Sequence, residues 1–364
     1  MTATREARPG PGKRSRRKFV ITGLCVVAGL VAAEVGVRLF EIDVTHPPES
    51  RGHMFRKSAD PRLRFTNDPG AALILDFGTD RERGPQVVRH AINEQGFRGP
   101  VVTEKPEPGV LRIACIGDSH TLGHGVAEHQ TWPAHLAREL ARRLPERRFE
   151  VMNCGVSAYD TQQEAQFLAS EVLPYEPQLV LLQFHINDIM LPGVAGAHKV
   201  DAGFLMRLAD PHAKGTVATL RQSSRCVDLV LDGVYRRQGL KKAVAALSLE
   251  YTERGPRYRL VSSALISMRD QLKERGIPFA VVLYPYLLRD GEHLASRAAF
   301  EVVREFCRAS SIACFDTEAA FLAHRDVEAL RVHETDVHAG ALAHRTFAVA
   351  IAGQLLAQGD LLAR

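Results

Sequence analysis

Leu111-Arg-Ile-Ala-Cys-Ile116-Gly117-Asp118-Ser119-His120-Thr121-Leu122-Gly123 is the stretch on which the fold turns. A short, mostly apolar run ends in a Gly-Asp-Ser turn and continues into residues that suit a helix start, so it reads as strand, tight turn, helix. A serine on such a turn stands at the carboxyl edge of a sheet, where a nucleophile gains exposure, and the neighbouring glycines permit tight backbone paths. Taken alone, Ser119 is better read as a turn serine or a helix cap.

Outward from this stretch the same alternation continues. Apolar runs at 149–153, 179–184, 279–284 and 312–315 predict four more strands, and amphipathic segments at 132–144, 161–172, 257–275, 293–308 and 340–356 predict helices between and after them. Trp132-Pro133 reads as a helix start with no chemistry of its own. Strands alternating with helices of this length predict an α/β fold, a parallel sheet covered on both faces, with its chemistry just beyond the carboxyl ends of the strands. Residues 41–110 carry Pro47-Pro48, Asp60-Pro61, Asp68-Pro69-Gly70 and Pro106-Glu-Pro108 around one apolar run, 71–77. They predict a turn-rich connector with two or three short strands. Residues 190–256 interrupt the alternation and read as an insertion or lid within a domain spanning 111–364.

The next two predicted strands also end in polar groups at the same edge: Asn153-Cys154-Gly155-Val156-Ser157-Ala158-Tyr159, then Phe184-His185-Ile186-Asn187-Asp188. Asp336-Val337-His338 stands just before the last helix. In chain order, Ser119, Gly155, Asn187 and Asp336/His338 resemble the four blocks of the SGNH (GDSL-type) hydrolases, over about residues 111–357. Upstream, Asn93-Glu-Gln-Gly96-Phe97-Arg98-Gly99 and the segment from Gly125-Val126 to Thr131-Trp132-Pro133 look like the bacterial branch with an N-terminal membrane segment. The resemblance implies a three-layer α/β/α sandwich of flavodoxin-like type and an extracytoplasmic esterase or acyl-transfer domain, often associated with acylated carbohydrate.

Carried over by position, Ser119 is the nucleophile, His338 its base and Asp336 the group that orients the imidazole. The Ser119 and Gly155 backbone N–H groups and the Asn187 side-chain amide would form the oxyanion hole. Four departures accompany the match: His120 replaces the leucine of GDSL, His185 replaces a glycine two residues before the asparagine, one residue separates Asp336 from His338 where many members have two, and Ala339-Gly340 lacks a frequent asparagine. Asp118, His120, His185 and Asp188 are candidates for the pocket; Asp118 and Asp188 read first as residues that fix turns through backbone hydrogen bonds. His185 reads equally as a structural histidine. Among His120, His124, His129 and His185 no two fall in a recognised ligand spacing with a carboxylate, and serine chemistry calls for no metal or other cofactor. His344 is expected to face along the last helix.

Charge bears on compartment. Seven of the 47 Lys and Arg lie in residues 1–18 against one acid, leaving the other 346 residues at about −1. A basic nucleic-acid-binding domain is therefore not indicated, while 45% hydrophobic and 24% charged residues exclude a disordered chain. Behind the basic leader, Phe19 to Ala33 carries no charge. With Glu34 and Arg38 paired at i,i+4, 19–40 reads as a transmembrane helix; Val31 and Ala33 also suit a cleaved signal, Ser15-Arg-Arg-Lys-Phe-Val20 resembles a twin-arginine signal, and a buried core helix is the remaining reading. As anchor or signal, the segment puts the rest of the chain outside the cytoplasm, in a bacterial inner membrane or periplasm. The six cysteines show no metal spacing; Cys115 and Cys154 read as buried small hydrophobes, and a disulfide between Cys307 and Cys314 stays open. The function expected is a serine esterase removing short, acetyl-like groups from carbohydrate or small esters. The alternatives are an O-acyltransferase on an exported polysaccharide and a non-catalytic binding protein of the same fold. Oligomeric state is not legible.

Overall fold

The computed structural model describes residues 13–39, 49–80, 84–186, 216–234, 248–285, 287, 297–333 and 336–362. The chain forms two compact units, Met1–Thr45 with Asp201–Leu240, and His46–Val200 with Lys241–Arg364. Asn187 and Asp188, and most of the expected insertion at 190–256, lie outside the described residues.

In the smaller unit α1 (Lys13–Leu39) contains the apolar segment, and Arg38 Nε donates to Glu34 Oε1 at 2.8 Å as the i,i+4 spacing requires. Among the described residues no helix is long and apolar enough to cross a membrane.

The larger unit begins with residues expected to be a connector, and here the structure holds more order than the turn signals suggest. Five strands, β1 (Glu49–Gly52), β2 (Phe55–Lys57), β3 (Phe65–Asn67), β4 (Ala72–Asp80) and β5 (Gly84–Ala91), form a three-stranded antiparallel sheet in the order β1-β4-β5 and a β2-β3 pair. β1 and β2 are exposed throughout and β3 has only three residues, so the apolar pattern there is too thin to stand out from the surrounding prolines.

The core follows the predicted alternation closely: β6 (Val110–Gly117), α2 (Ser119–Leu122), α3 (Trp132–Arg143), β7 (Arg148–Gly155), α4 (Thr161–Phe167) and β8 (Leu179–Phe184). The predicted helix 161–172 changes to a π-helical turn at Leu168–Val172. In the smaller unit α5 (Thr216–Ser223) and α6 (Arg225–Val234) come next, and the Glu34 carboxylate accepts from the Ser224 hydroxyl and the Arg225 and Cys226 N–H groups, capping α6. Of the described part of the expected insertion, residues 216–234 belong with α1 and residues 248–256 with the larger unit. The larger unit resumes with α7 (Pro256–Glu274), β9 (Phe279–Leu283), α8 (Arg297–Ala309), β10 (Ala313–Asp316), α9 (Glu318–Leu322), the unpredicted antiparallel pair β11 (Arg331–His333) and β12 (Asp336–Ala339), and α10 (Ala341–Ala357).

Five strands pair in parallel in the order β10-β9-β8-β6-β7. Alternate residues of these strands point to opposite faces, and both sets are buried, as expected of a parallel sheet. Leu111, Ile113, Cys115, Leu181 and Val282 meet Trp132, Leu136 and Leu140 of α3 and Phe347, Ile351 and Leu355 of α10 on one face. Ala114, Ile116, Val180, Leu182 and Val281 are equally buried by the alternation, and α4, which lies against α7, touches β6. This is the three-layer α/β/α arrangement, and the strand order puts the ends of β6, β7 and β8 side by side.

Candidate active site

Ser119 is the first residue of α2, directly after the turn at the end of β6. Asp118 is the helix cap, its Oδ1 accepting the His120 N–H at 2.9 Å. At the other end of this one-turn helix Gly123 takes φ 84°, a left-handed conformation that favours glycine, and its N–H and that of His124 both donate to Ser119 O at 2.9 Å. Arg98, from the connector, is buried and donates to the carbonyls of Leu122 at 2.7 Å and Gly123 at 2.6 Å and to Val126 O. Burial pushes its pKa down to about 10, still cationic at neutral pH. Trp132 Nε1–H donates to Thr121 Oγ1 at 3.3 Å, and Thr121 Oγ1–H donates to Gln183 Oε1 at 2.9 Å, tying the helix to α3 and β8. The serine thus sits on a turn held at its start by Asp118 and at its end by Arg98 on the Leu122 and Gly123 carbonyls.

His338 and Asp336 come from β12, more than 200 residues away in sequence. Ser119 Oγ lies 3.0 Å from His338 Nε2, and His338 Nδ1 lies 2.6 Å from Asp336 Oδ1, which also accepts the His338 backbone N–H at 2.9 Å. A carboxylate only accepts, so Nδ1 carries the proton toward Asp336 and Nε2 of the neutral ring is left to accept from the serine hydroxyl. Burial alone lowers the His338 pKa, but the charge and hydrogen bond of Asp336 outweigh it and the net shift is upward. Burial likewise raises the Asp336 carboxyl, and the adjacent His338 and His124 overcome it, holding the group ionised well below the ordinary range.

Sequence reading weighed His124 only as a metal ligand and gave it no part beside Asp336. His124 Nε2 lies 3.3 Å from Asp336 Oδ2, so the one carboxylate faces two imidazoles, and the His124 and His338 ring centres are 4.3 Å apart. Burial, then the neighbouring His338, lowers the His124 pKa, leaving the ring a neutral donor at physiological pH. Behind it stands buried His90, whose Nε2 accepts the Gly125 N–H at 3.0 Å and whose pKa is pushed down to about 2, chiefly by burial. The only available signal was position: His124 follows the left-handed Gly123, the turn that sends its side chain back toward the serine.

The other predicted residues divide. Asp118, His120 and His185 are buried around Ser119, with the His120 ring stacked on Tyr284 at 4.6 Å and 5.3 Å from His338. Burial, followed by His185, His338 and His344, holds His120 neutral well below the usual histidine range. Gly155 stands at the end of β7, but its N–H donates to Asn153 Oδ1 at 3.1 Å, so the backbone donor expected in an oxyanion hole is already engaged. Glycine is required there for another reason: a Cβ would fall on the Leu122 backbone nitrogen of α2. The turn beyond it passes through Ala158 at φ 64°, an uncommon conformation for a residue with a side chain. His344, on α10, is buried and its Nδ1 accepts the Trp132 N–H at 3.2 Å. His129 is exposed. All six cysteines are free thiols.

A hydroxyl, an imidazole and a carboxylate in one hydrogen-bonded line are the groups needed to raise the nucleophilicity of an alcohol oxygen and to move its proton. If His338 is the base that Ser119 depends on, only its neutral form is productive. The acid limb of the pH profile of kcat/KM should then lie above about 6.5, the ordinary histidine value. His124→Phe removes a donor from Asp336 and leaves more of its charge to His338. That limb should move up by roughly 0.5 to 1 unit, with kcat/KM about 10- to 100-fold lower at the optimum, the scale of a hydrogen bond to a charged group. His124→Gln, which can present an N–H to the same oxygen, should restore most of both. An unchanged profile in His124→Phe would show that His124 only fills space.

Residues 115–346 match the family of GDSL-like lipases and acylhydrolases. No curated protein matches the chain at a significant level. Among solved structures the chain is similar to an α/β hydrolase enzyme from the metagenome of Lake Arreo, Spain, at 16% identity and TM-score 0.39, covering 69% of this chain and 96% of that one. It is also similar to an acetylxylan esterase from Geobacillus stearothermophilus, at 16% identity and TM-score 0.43, covering 67% and 94%. At these values neither likeness bears on substrate.

Proposed function

The chain belongs to the GDSL-like lipase/acylhydrolase family and is an ester-hydrolysing enzyme, and from that premise we propose that it is an extracytoplasmic serine esterase that removes short acyl groups from carbohydrate or small-molecule esters. The observation that carries the reading is the line from Ser119 Oγ through His338 to Asp336 Oδ1, at 3.0 and 2.6 Å. In the proposed reaction Ser119 Oγ attacks the ester carbonyl carbon while His338 Nε2 takes its proton. The imidazolium that forms is stabilised by Asp336, and it returns the proton to the departing alcohol. Water, deprotonated by the same nitrogen, then attacks the acyl-serine; the acyl–Oγ bond breaks, Nε2 returns the proton to Ser119 Oγ, and the acid leaves. The Ser119 N–H, at the start of α2 where no helical carbonyl reaches it, is a backbone donor for the oxyanion, with Asn187 as its proposed side-chain partner. Treatment with a fluorophosphonate probe should add one adduct, located on Ser119 by peptide mass analysis. An adduct elsewhere, or none, would sink the assignment.

Location outside the cytoplasm, with 19–40 as a membrane anchor or a cleaved signal segment, is the second part of the proposal. It is supported by the basic residues of 1–18, the uncharged stretch Phe19 to Ala33, and the pairing of Glu34 with Arg38, which leaves no unpaired acid in the helix. A reporter fused near Pro106 should be active only outside the cytoplasm. Cytoplasmic activity of that fusion would refute the orientation.

A further inference from the structure

Parallel pairing of β6 with β8, in register through Ile116 and Leu182, brings the residues just past both strands together. Asp118, His120 and His185 meet there, each offering one oxygen or nitrogen atom, all within 4.8 Å of one another. They are 1%, 7% and 3% exposed. The two imidazole ring centres are 4.8 Å apart with an interplanar angle of 40°. Two imidazoles bound to one tetrahedral zinc, with Zn–N about 2.0 Å, have ring centres roughly 5 Å apart, so the pair already has the separation that a shared cation needs.

Two further observations point to a ligand. His120 Nδ1 is buried and has no hydrogen-bond partner among the described residues. The ring plane is also fixed, since His120 stacks on Tyr284 at 24°. A second cluster, His124, Asp336 and His338, is equally tight and contains the His338 Nδ1–Asp336 Oδ1 hydrogen bond of the serine line. Two imidazoles and one carboxylate suit first-row divalent transition metals, and three protein ligands leave a tetrahedral cation one open position.

We propose that Asp118, His120 and His185 form a binding site for a divalent transition-metal cation of the zinc class, beside Ser119 and separate from the Ser119–His338–Asp336 line. Its test reads metal binding and does not depend on esterase activity.

Tag-free protein stripped with a chelator is titrated with Co²⁺ and followed by its visible absorption, and Zn²⁺ is then used to displace it. One equivalent of Co²⁺ should bind with a tetrahedral spectrum. His120→Phe, which preserves a ring to stack on Tyr284, and His185→Gln should each weaken binding by about 100-fold or more, the upper end of what even an outer-sphere partner commands. His124→Phe should leave the affinity unchanged. Thermal melts of the metal-free variants separate loss of a ligand from loss of the fold, and either of the two variants alone suffices if the other is unfolded. Absence of saturable binding to the wild-type protein overturns the proposal. So does binding that survives His120→Phe and His185→Gln but disappears in His124→Phe, which would place the cation on the other cluster.

Discussion

Ser119→Ala and His338→Ala are each expected to lower kcat/KM on a small activated ester by about 10⁴- to 10⁶-fold, and the double variant by little more than either alone. The expectation follows from the proposed roles, in which the two groups act as one unit. Without the imidazole 3.0 Å away, the Ser119 hydroxyl keeps its proton, and without the hydroxyl the imidazole has nothing to activate. Neither Ser119 nor His338 belongs to the apolar core cluster, so the variants should melt close to the parent. Steady-state kinetics of the four proteins, with fluorophosphonate labelling as a second readout, make the check. Additive losses would show that the two residues act separately, and retained turnover in Ser119→Ala would require another nucleophile.

Asp336→Asn is expected to cost about 10³- to 10⁴-fold in kcat, with KM little changed, because it keeps the size of the side chain and inverts its chemistry. The carboxylate now accepts from the His338 ring at 2.6 Å and from the His338 backbone N–H at 2.9 Å, both on Oδ1, while His124 faces Oδ2. An amide can accept with one atom only. If its oxygen stays on the backbone N–H and His338, its nitrogen points at His124, and the imidazolium formed during turnover loses its counter-charge. If it turns, its N–H faces His338 Nδ1, forces the proton onto Nε2 and removes the acceptor that Ser119 needs. Either way the base is lost without a cavity. A measured loss below about tenfold would mean that another acid serves His338.

Most of the sheet could be read from the chain because it depends on local pattern. The run 179–184 is predicted and found as the same six residues, and the remaining core strands and most helices differ by a few residues at their ends. Strands buried on both faces must be continuously apolar, and a helix between them must carry a stripe, so each declares itself within about ten residues. The sites at the strand ends follow from the same rule, since a turn from strand to helix in a parallel sheet has only one edge to occupy. The connector and the β11-β12 pair lacked that signal: β1 and β2 are exposed throughout, and β3 and β11 have only three residues each.

What the sequence by itself determined is thus the α/β alternation, the placing of Ser119, Gly155 and His185 at one edge, and the grouping of Asp336 with His338 ahead of the last helix. Only the tertiary structure decided which of the many histidines meet, and in what role. His124 reaches Asp336 across 212 positions because Gly123 turns the chain and β12 returns beside α2, a fact that no periodicity encodes. Gly155 was legible as a glycine that a close approach demands, yet its N–H is committed to Asn153 Oδ1 and the approach is to Leu122. The convergence of Asp118, His120 and His185 likewise depends on β8 pairing with β6 in one register. Local pattern reports which face of an element is buried; strand order and register set which distant side chains share a few ångströms, and those are properties of the assembled sheet.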